Sequence, residues 1–156
     1  MGIHETLRLA QIALDSNRPA EAAQHLRAAV QLAPNAAGLW NELGTTLARL
    51  GQMEAAVDAF RRAVVVQPSL IDAQENLGLA LFHLERFDEA EAVYRQLVTA
   101  NANHATAQFG LGTIQERHAQ FEDARRSYES AIGAQPAYAD AYINLGNVLW
   151  ELGKTS

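Results

Sequence analysis

At 156 residues with 49% hydrophobic side chains, the chain is long enough to bury a substantial shared core, and much of that fraction is alanine, which suits close helix packing. A formal charge of −6 with interspersed signs argues against nucleic acid as a partner, and the lack of cysteine excludes a disulfide framework and thiolate chemistry. No apolar run reaches the roughly 18 residues of a membrane-spanning helix, and no signal peptide opens the sequence, so no membrane partner is expected and the cytoplasm is the expected compartment.

A fixed step of 34 residues organises the chain. Ala22, Ala56, Ala90 and Ala124 keep it, as do Leu9, Leu43, Leu77, Leu111 and Leu145, and Gly44, Gly78, Gly112 and Gly146. Such a period marks a repeat array, in which each unit is too small to bury its own apolar face and stacks on its neighbours. In frame, one array over 1–156 is expected, with repeats 3–36, 37–70, 71–104 and 105–138 and a terminal helix at 139–152. The first repeat is degenerate, with Thr6, Ala10, Ala13 and Leu26 in the signature places, although Leu9, Ala22, Ala29 and Pro34 hold the register. In the second, Leu39, Leu43, Leu47 and Leu50 recur at helical spacing within 37–50. Ala56, Val57, Phe60, Ala63, Val64 and Val66 do the same within 54–66. Gly51 lies where a left-handed helix end costs least, and Pro68 stops the second helix. Gly44 and Ala56 are small because the two helices must approach closely, and Phe60 is large because it fills the space behind that contact. The third and fourth repeats carry Leu77-Gly78, Ala90 and Tyr94, then Leu111-Gly112, Ala124, Tyr128, Ala131 and Pro136; Ala102 stands where a proline is missing. About nine helices are predicted, all α.

Catalytic and metal chemistry finds little support. The histidines are His4, His25, His83, His104 and His118, with no helical pair three or four residues apart beside a carboxylate. His104 and His118 read as capping or solvated residues at repeat ends. Gly153-Lys154-Thr155 lacks the upstream glycine and strand of a phosphate loop. Glu89 with Glu91, and Glu122 with Asp123, open second helices, where they suit the positive end of the helix dipole. No enzyme activity and no cofactor are expected.

The run Trp40-x-x-Leu43-Gly44-x-x-Leu47, Ala56-x-x-x-Phe60-x-x-Ala63 and Pro68 resembles the tetratricopeptide repeat, and the resemblance covers essentially the whole chain. It implies a right-handed solenoid of antiparallel helix pairs whose first helices line a concave groove for a peptide or helix. By register the groove residues are Arg49, Asn76, Leu79, Phe82, His83, Phe109, Thr113, Arg117, Asn144 and Asn147, with Arg8, Gln11, Asn41, Glu42 and Thr45 in the earlier turns. Leu79, Phe82 and Phe109 stand out, because apolar side chains on a face that should be wet mark a partner surface; packing against the neighbouring repeat is their other reading. The carboxylate-gripping clamp of chaperone-binding relatives is missing, since Leu7, Gln11, Glu42, Asp72 and Asn76 hold its places. Asn76 and Asn144 match the asparagine ladder of arrays attached to a serine/threonine glycosyltransferase, but Arg8, Glu42 and Gly110 break it.

The expected function is a non-catalytic protein–protein interaction scaffold. The alternatives are the targeting or substrate-presenting segment of a larger, glycosyltransferase-like enzyme, and a self-assembling scaffold. The pattern halts after Leu152-Gly153, as in a piece of a longer array. The terminal helix presents Val148, Leu149 and Leu152 as a candidate self-association surface, with Trp150 on an adjoining face.

Overall fold

In a computed structural model describing residues 2–154, nine α-helices account for the secondary structure of the described residues. They are α1 (Ile3–Asp15), α2 (Pro19–Leu32), α3 (Ala37–Arg49), α4 (Met53–Val66), α5 (Ile71–His83), α6 (Phe87–Ala100), α7 (Ala105–Arg117), α8 (Phe121–Ala134) and α9 (Ala139–Lys154). The chain divides into two compact units, one running to Glu85 with α1–α5 and one from Arg86 with α6–α9. The all-α architecture is as predicted, and α1 packs on α2 and α3 on α4 in the first unit and α7 on α8 in the second.

Once in every 34-residue period the chain passes through one residue with a left-handed backbone. Asn17 (φ 54°), Gly51 (φ 73°), Glu85 (φ 57°) and Ala119 (φ 56°) occupy the same register position. The amide after the turn bonds back five residues, Arg18 to Ala13 at 2.8 Å, Gln52 to Leu47 at 3.0 Å and Gln120 to Gln115 at 2.9 Å. These bonds satisfy carbonyls that the helix end would leave orphaned. Glycine alone takes this conformation without steric cost. Gly51 was legible in the sequence for that reason, and Glu85 and Ala119 were not.

The return turns explain the prolines. Ala36, Leu70, His104 and Tyr138 donate to Ala33, Gln67, Asn101 and Gln135, closing four-residue turns with Pro34, Pro68, Ala102 and Pro136 second in each. Proline suits that place because its ring presets φ. Where Ala102 stands instead, the Asn101 side chain accepts from the Asn103 amide at 3.1 Å and stiffens the turn locally. His104 caps α7 through Nδ1, 3.4 Å from the Ala107 amide, as predicted for a repeat-end histidine. Glu122 and Asp123 lie in the first turn of α8 and Glu89 in that of α6, whereas Glu91 pairs with Arg95 at 2.5 Å instead.

Packing turns on small residues facing rings. A Cβ at Gly44 would sit 2.5 Å from the Phe60 ring, and one at Gly112 would sit 2.6 Å from Tyr128. The degenerate first repeat makes the opposite trade in volume: Ala10 holds the glycine place and Leu26 the aromatic one, both buried. Gly110 is small for a related reason, since a Cβ there would meet Tyr94 of α6 at 2.5 Å. The break in the asparagine ladder at this position is therefore a packing requirement.

α9 runs longer than predicted. Gly153 holds the register place of the four left-handed residues, yet the helix passes through it to Lys154.

Candidate functional site

In the first unit, a depression of about 250 Å³ opens between α3, α4 and α5. Thr45, Arg49, Asn76, Leu79 and His83 line it, all expected in the groove, and Ala48, Met53, Phe60 and Ala80 join them. The floor is apolar because Phe60 is wedged against Gly44 and Ala80 is buried. Leu79 stands 51% exposed over that floor, a large apolar side chain left in water by the fold. At one edge the Arg49 guanidinium donates to Asn17 Oδ1 at 3.1 Å, which holds its charge at the rim. Asn76 Nδ2 donates to Asn41 Oδ1 at 3.0 Å, joining neighbouring first helices through an amide pair with further donor and acceptor capacity. Phe82 is half-buried, its ring 6.4 Å from that of His83. Met53 and Phe60 come from a second helix, so reading first helices alone could not have found them.

A second hollow in this unit, of about 360 Å³, lies between α2, α3 and α4 over Leu43, Leu47 and Trp40. Its rim is tied down: Arg62 sits 5.8 Å over the Trp40 ring, and Arg27 donates to Gln52 at 3.2 Å.

The second unit places its expected residues differently. Phe109 departs from the expectation of a free groove residue: it is half-buried, stacked on Tyr138 at 4.9 Å and tilted against Tyr128 at 5.7 Å. The cause is the aromatic pair supplied by the next helix and turn, which packs the ring against the unit's own core. Thr113 turns its hydroxyl to the Phe109 carbonyl at 3.0 Å. Tyr128 donates to Glu116 at 2.7 Å and accepts from Asn144 at 3.2 Å, so Asn144 serves an internal network. Burial pushes the Tyr128 hydroxyl above the ordinary tyrosine range, with the Glu116 carboxylate acting in the same direction. Nothing in the sequence signalled this network beyond a tyrosine in the place of Phe60. Arg117 is exposed and lies 5.2 Å from the Phe87 ring, and Asn147 is exposed on α9.

Val148 requires a correction. It was expected on the self-association surface, but it is fully buried against Ala124 and Tyr128. Its register place is that of Thr46 and Ile114, which are buried too. Leu152 is half-buried against the same cluster, and Leu149 is 49% exposed. Tyr142, Ile143 and Trp150 are exposed with it. Among the described residues no helix is long and apolar enough to cross a membrane. No group of three or more His, Cys, Asp or Glu among them is placed to hold a metal ion.

The family pattern described as tetratricopeptide repeat matches residues 7–70, 72–105 and 109–156. No curated protein matches the chain. Solved structures share the fold. MamA from Desulfovibrio magneticus RS-1, from residue 41 onward, superposes with a TM-score of 0.87 at 22% identity, over 97% of this chain and 85% of the other. A tetratricopeptide repeat protein from Parabacteroides merdae reaches 0.89 at 19% identity, over 97% of this chain and 60% of that one. YrrB, described as a TPR protein with an unusual peptide-binding site, reaches 0.78 at 22% identity, over 95% and 76%.

Proposed function

The chain belongs to the tetratricopeptide repeat family, and on that footing we propose that it is a non-catalytic protein-interaction scaffold that takes a peptide or helical segment in the depression between α3, α4 and α5. The observation that carries the reading is Leu79, half-exposed over an apolar floor and flanked by the Arg49 cation and the Asn41–Asn76 amide pair. An apolar side chain fits beside Leu79, Met53 and Phe60, an acidic residue suits Arg49, and the amides bond a peptide backbone. The peptide-binding site attributed to YrrB supports the reading by likeness of fold.

The test is a peptide array of apolar–acidic pairs, with hits measured by calorimetry against wild type, Leu79→Glu and Arg49→Glu. Both positions are exposed, so folding is retained. Loss of affinity by tenfold or more in either variant, equal to roughly 1.4 kcal/mol, supports this site. Peptides that bind all three proteins equally overturn it.

A second reading, favoured by the exposed apolar residues of α9, is self-association through that helix. Its surface comprises Tyr142, Ile143, Leu149 and Trp150, and Val148 is excluded from it.

A further inference from the structure

We propose that the hollow between α2, α3 and α4 is a second docking site, which takes an acidic peptide segment through one apolar side chain. It shares no lining residue with the depression between α3, α4 and α5, so it stands independently of that site.

Three observations carry it. The first is form. The hollow measures about 360 Å³, within the roughly 300–1,000 Å³ of ligand pockets. Val30, Leu43, Leu47 and Ala59 make a buried apolar floor, and the half-buried Trp40 ring walls it. Such a floor under an open mouth favours an apolar side chain over water.

The second observation is that the turn does not require this wall. Trp40 Nε1 donates to the Pro34 carbonyl at 2.9 Å. Gln74 and Gln108, in the same register place, make the same bond to Pro68 and Ala102. An amide therefore suffices for the bond, and the indole ring adds apolar surface to the hollow. Ala55, which also lines it, stands where later repeats carry Glu89 and Asp123. This lining is thus smaller and lacks a negative charge at that place.

Charge is the third, and it names the occupant. Arg27 from α2 and Arg62 from α4 both line the hollow, and both are exposed. Each is held by a neutral group, Arg27 by Gln52 Oε1 at 3.2 Å and Arg62 by the Trp40 ring at 5.8 Å. These contacts fix the guanidiniums and leave their charge uncancelled, so a carboxylate meets preorganised donors. Asp58 is the single carboxylate of the lining, against two arginines, in a chain whose formal charge is −6. An acidic segment seats one apolar side chain on the floor and sets its flanking carboxylates against Arg27 and Arg62. The contact is below standard size, so dissociation is expected on the order of 100 µM at low salt.

The probe is a short blocked peptide with one leucine among aspartates and glutamates; its control carries the matching amides. The chain has two tryptophans, and Trp150→Phe leaves Trp40 as the reporter. Trp40 emission should shift on titration with the acidic peptide, and added salt should weaken binding. In calorimetry the amide control should bind about tenfold or more weaker. Arg27→Gln combined with Arg62→Gln should cost about tenfold or more in affinity, and so should Trp40→Gln with its helicity retained. Glutamine already stands in the places of Trp40 and Arg62 in the next repeat, at Gln74 and Gln96. Should Trp40→Gln unfold, the arginine pair decides alone. No shift and no heat at peptide concentrations on the order of 1 mM overturn the proposal, as does equal binding of the amide control. A peptide that Leu79→Glu releases and the arginine pair retains sits in the other depression, which overturns it too. A Trp40 shift that follows protein concentration without peptide makes a second copy the occupant and also overturns it.

Discussion

α7 and α9 hold the same register in the same unit and present the same small residue at the same place, yet one is sealed and the other open. On α7, the Tyr128 ring covers Gly112 and its hydroxyl ties Glu116 to Asn144. On α9, Gly146 faces open space between two exposed aromatic residues. After α7 the chain reverses at Ala119 and α8 returns along it, which sets the Tyr128 ring over Gly112. A repeat sequence therefore specifies half of an interface, and burial depends on whether the other half arrives.

The largest expected effect sets the two glycines against each other. Gly112→Val forces a side chain into the Tyr128 ring and should destabilise the protein by about 1–3 kcal/mol. Gly146→Ala meets no neighbour and should stabilise by about 0.5–1 kcal/mol, the ordinary advantage of alanine over glycine inside a helix. Urea denaturation of both variants checks the pair; shifts of the same sign would erase the contrast between α7 and α9.

A smaller effect belongs to the hydroxyl that fastens the seal. Tyr128→Phe should cost about 1 kcal/mol at neutral pH, the net value of a buried hydrogen bond. The pH dependence gives a second readout. With its folded-state pKa raised, Tyr128 keeps its proton in the folded protein while the unfolded chain begins to lose it near pH 10. The unfolded state then binds fewer protons, so stability falls as pH rises beyond about 10. Denaturation midpoints between neutral and alkaline pH should fall more steeply for wild type than for Tyr128→Phe; parallel curves would show the hydroxyl to be solvated.

The smallest effect concerns the reversal itself. Ala119 is held left-handed at φ 56°, a conformation that costs a residue with a Cβ about 1–2 kcal/mol. Ala119→Gly relieves that strain and gives back part of the gain through a more flexible unfolded chain. A net stabilisation of about 0.5–1 kcal/mol is expected in thermal melts. A destabilised variant would mean that the Ala119 methyl contributes packing that outweighs its strain.

Much of the fold and half of the site are legible in the sequence. The 34-residue step places the helix pairs, because small and large residues recur wherever two helices cross. Arg49, Asn76, Leu79 and His83 are found by register, and they do line one depression. Its floor is not, because Met53 and Phe60 come from the second helix of the pair. Phe109, Asn144 and Val148 depart from their expected places, since register gives the side of a helix a residue faces and says nothing of what stands opposite. Val148 packs on Ala124 and Tyr128 of α8, and Thr46 and Ile114 in the same register place are buried too.

The sequence by itself determined the period, the helix pairing, the proline turns and the glycine seats, because each follows from backbone chemistry and residue size at fixed spacing. Only the tertiary structure decided which seats are filled. Phe60 closes the seat at Gly44 and Tyr128 the one at Gly112, because burial is a property of two surfaces in contact and a repeat motif encodes one surface at a time.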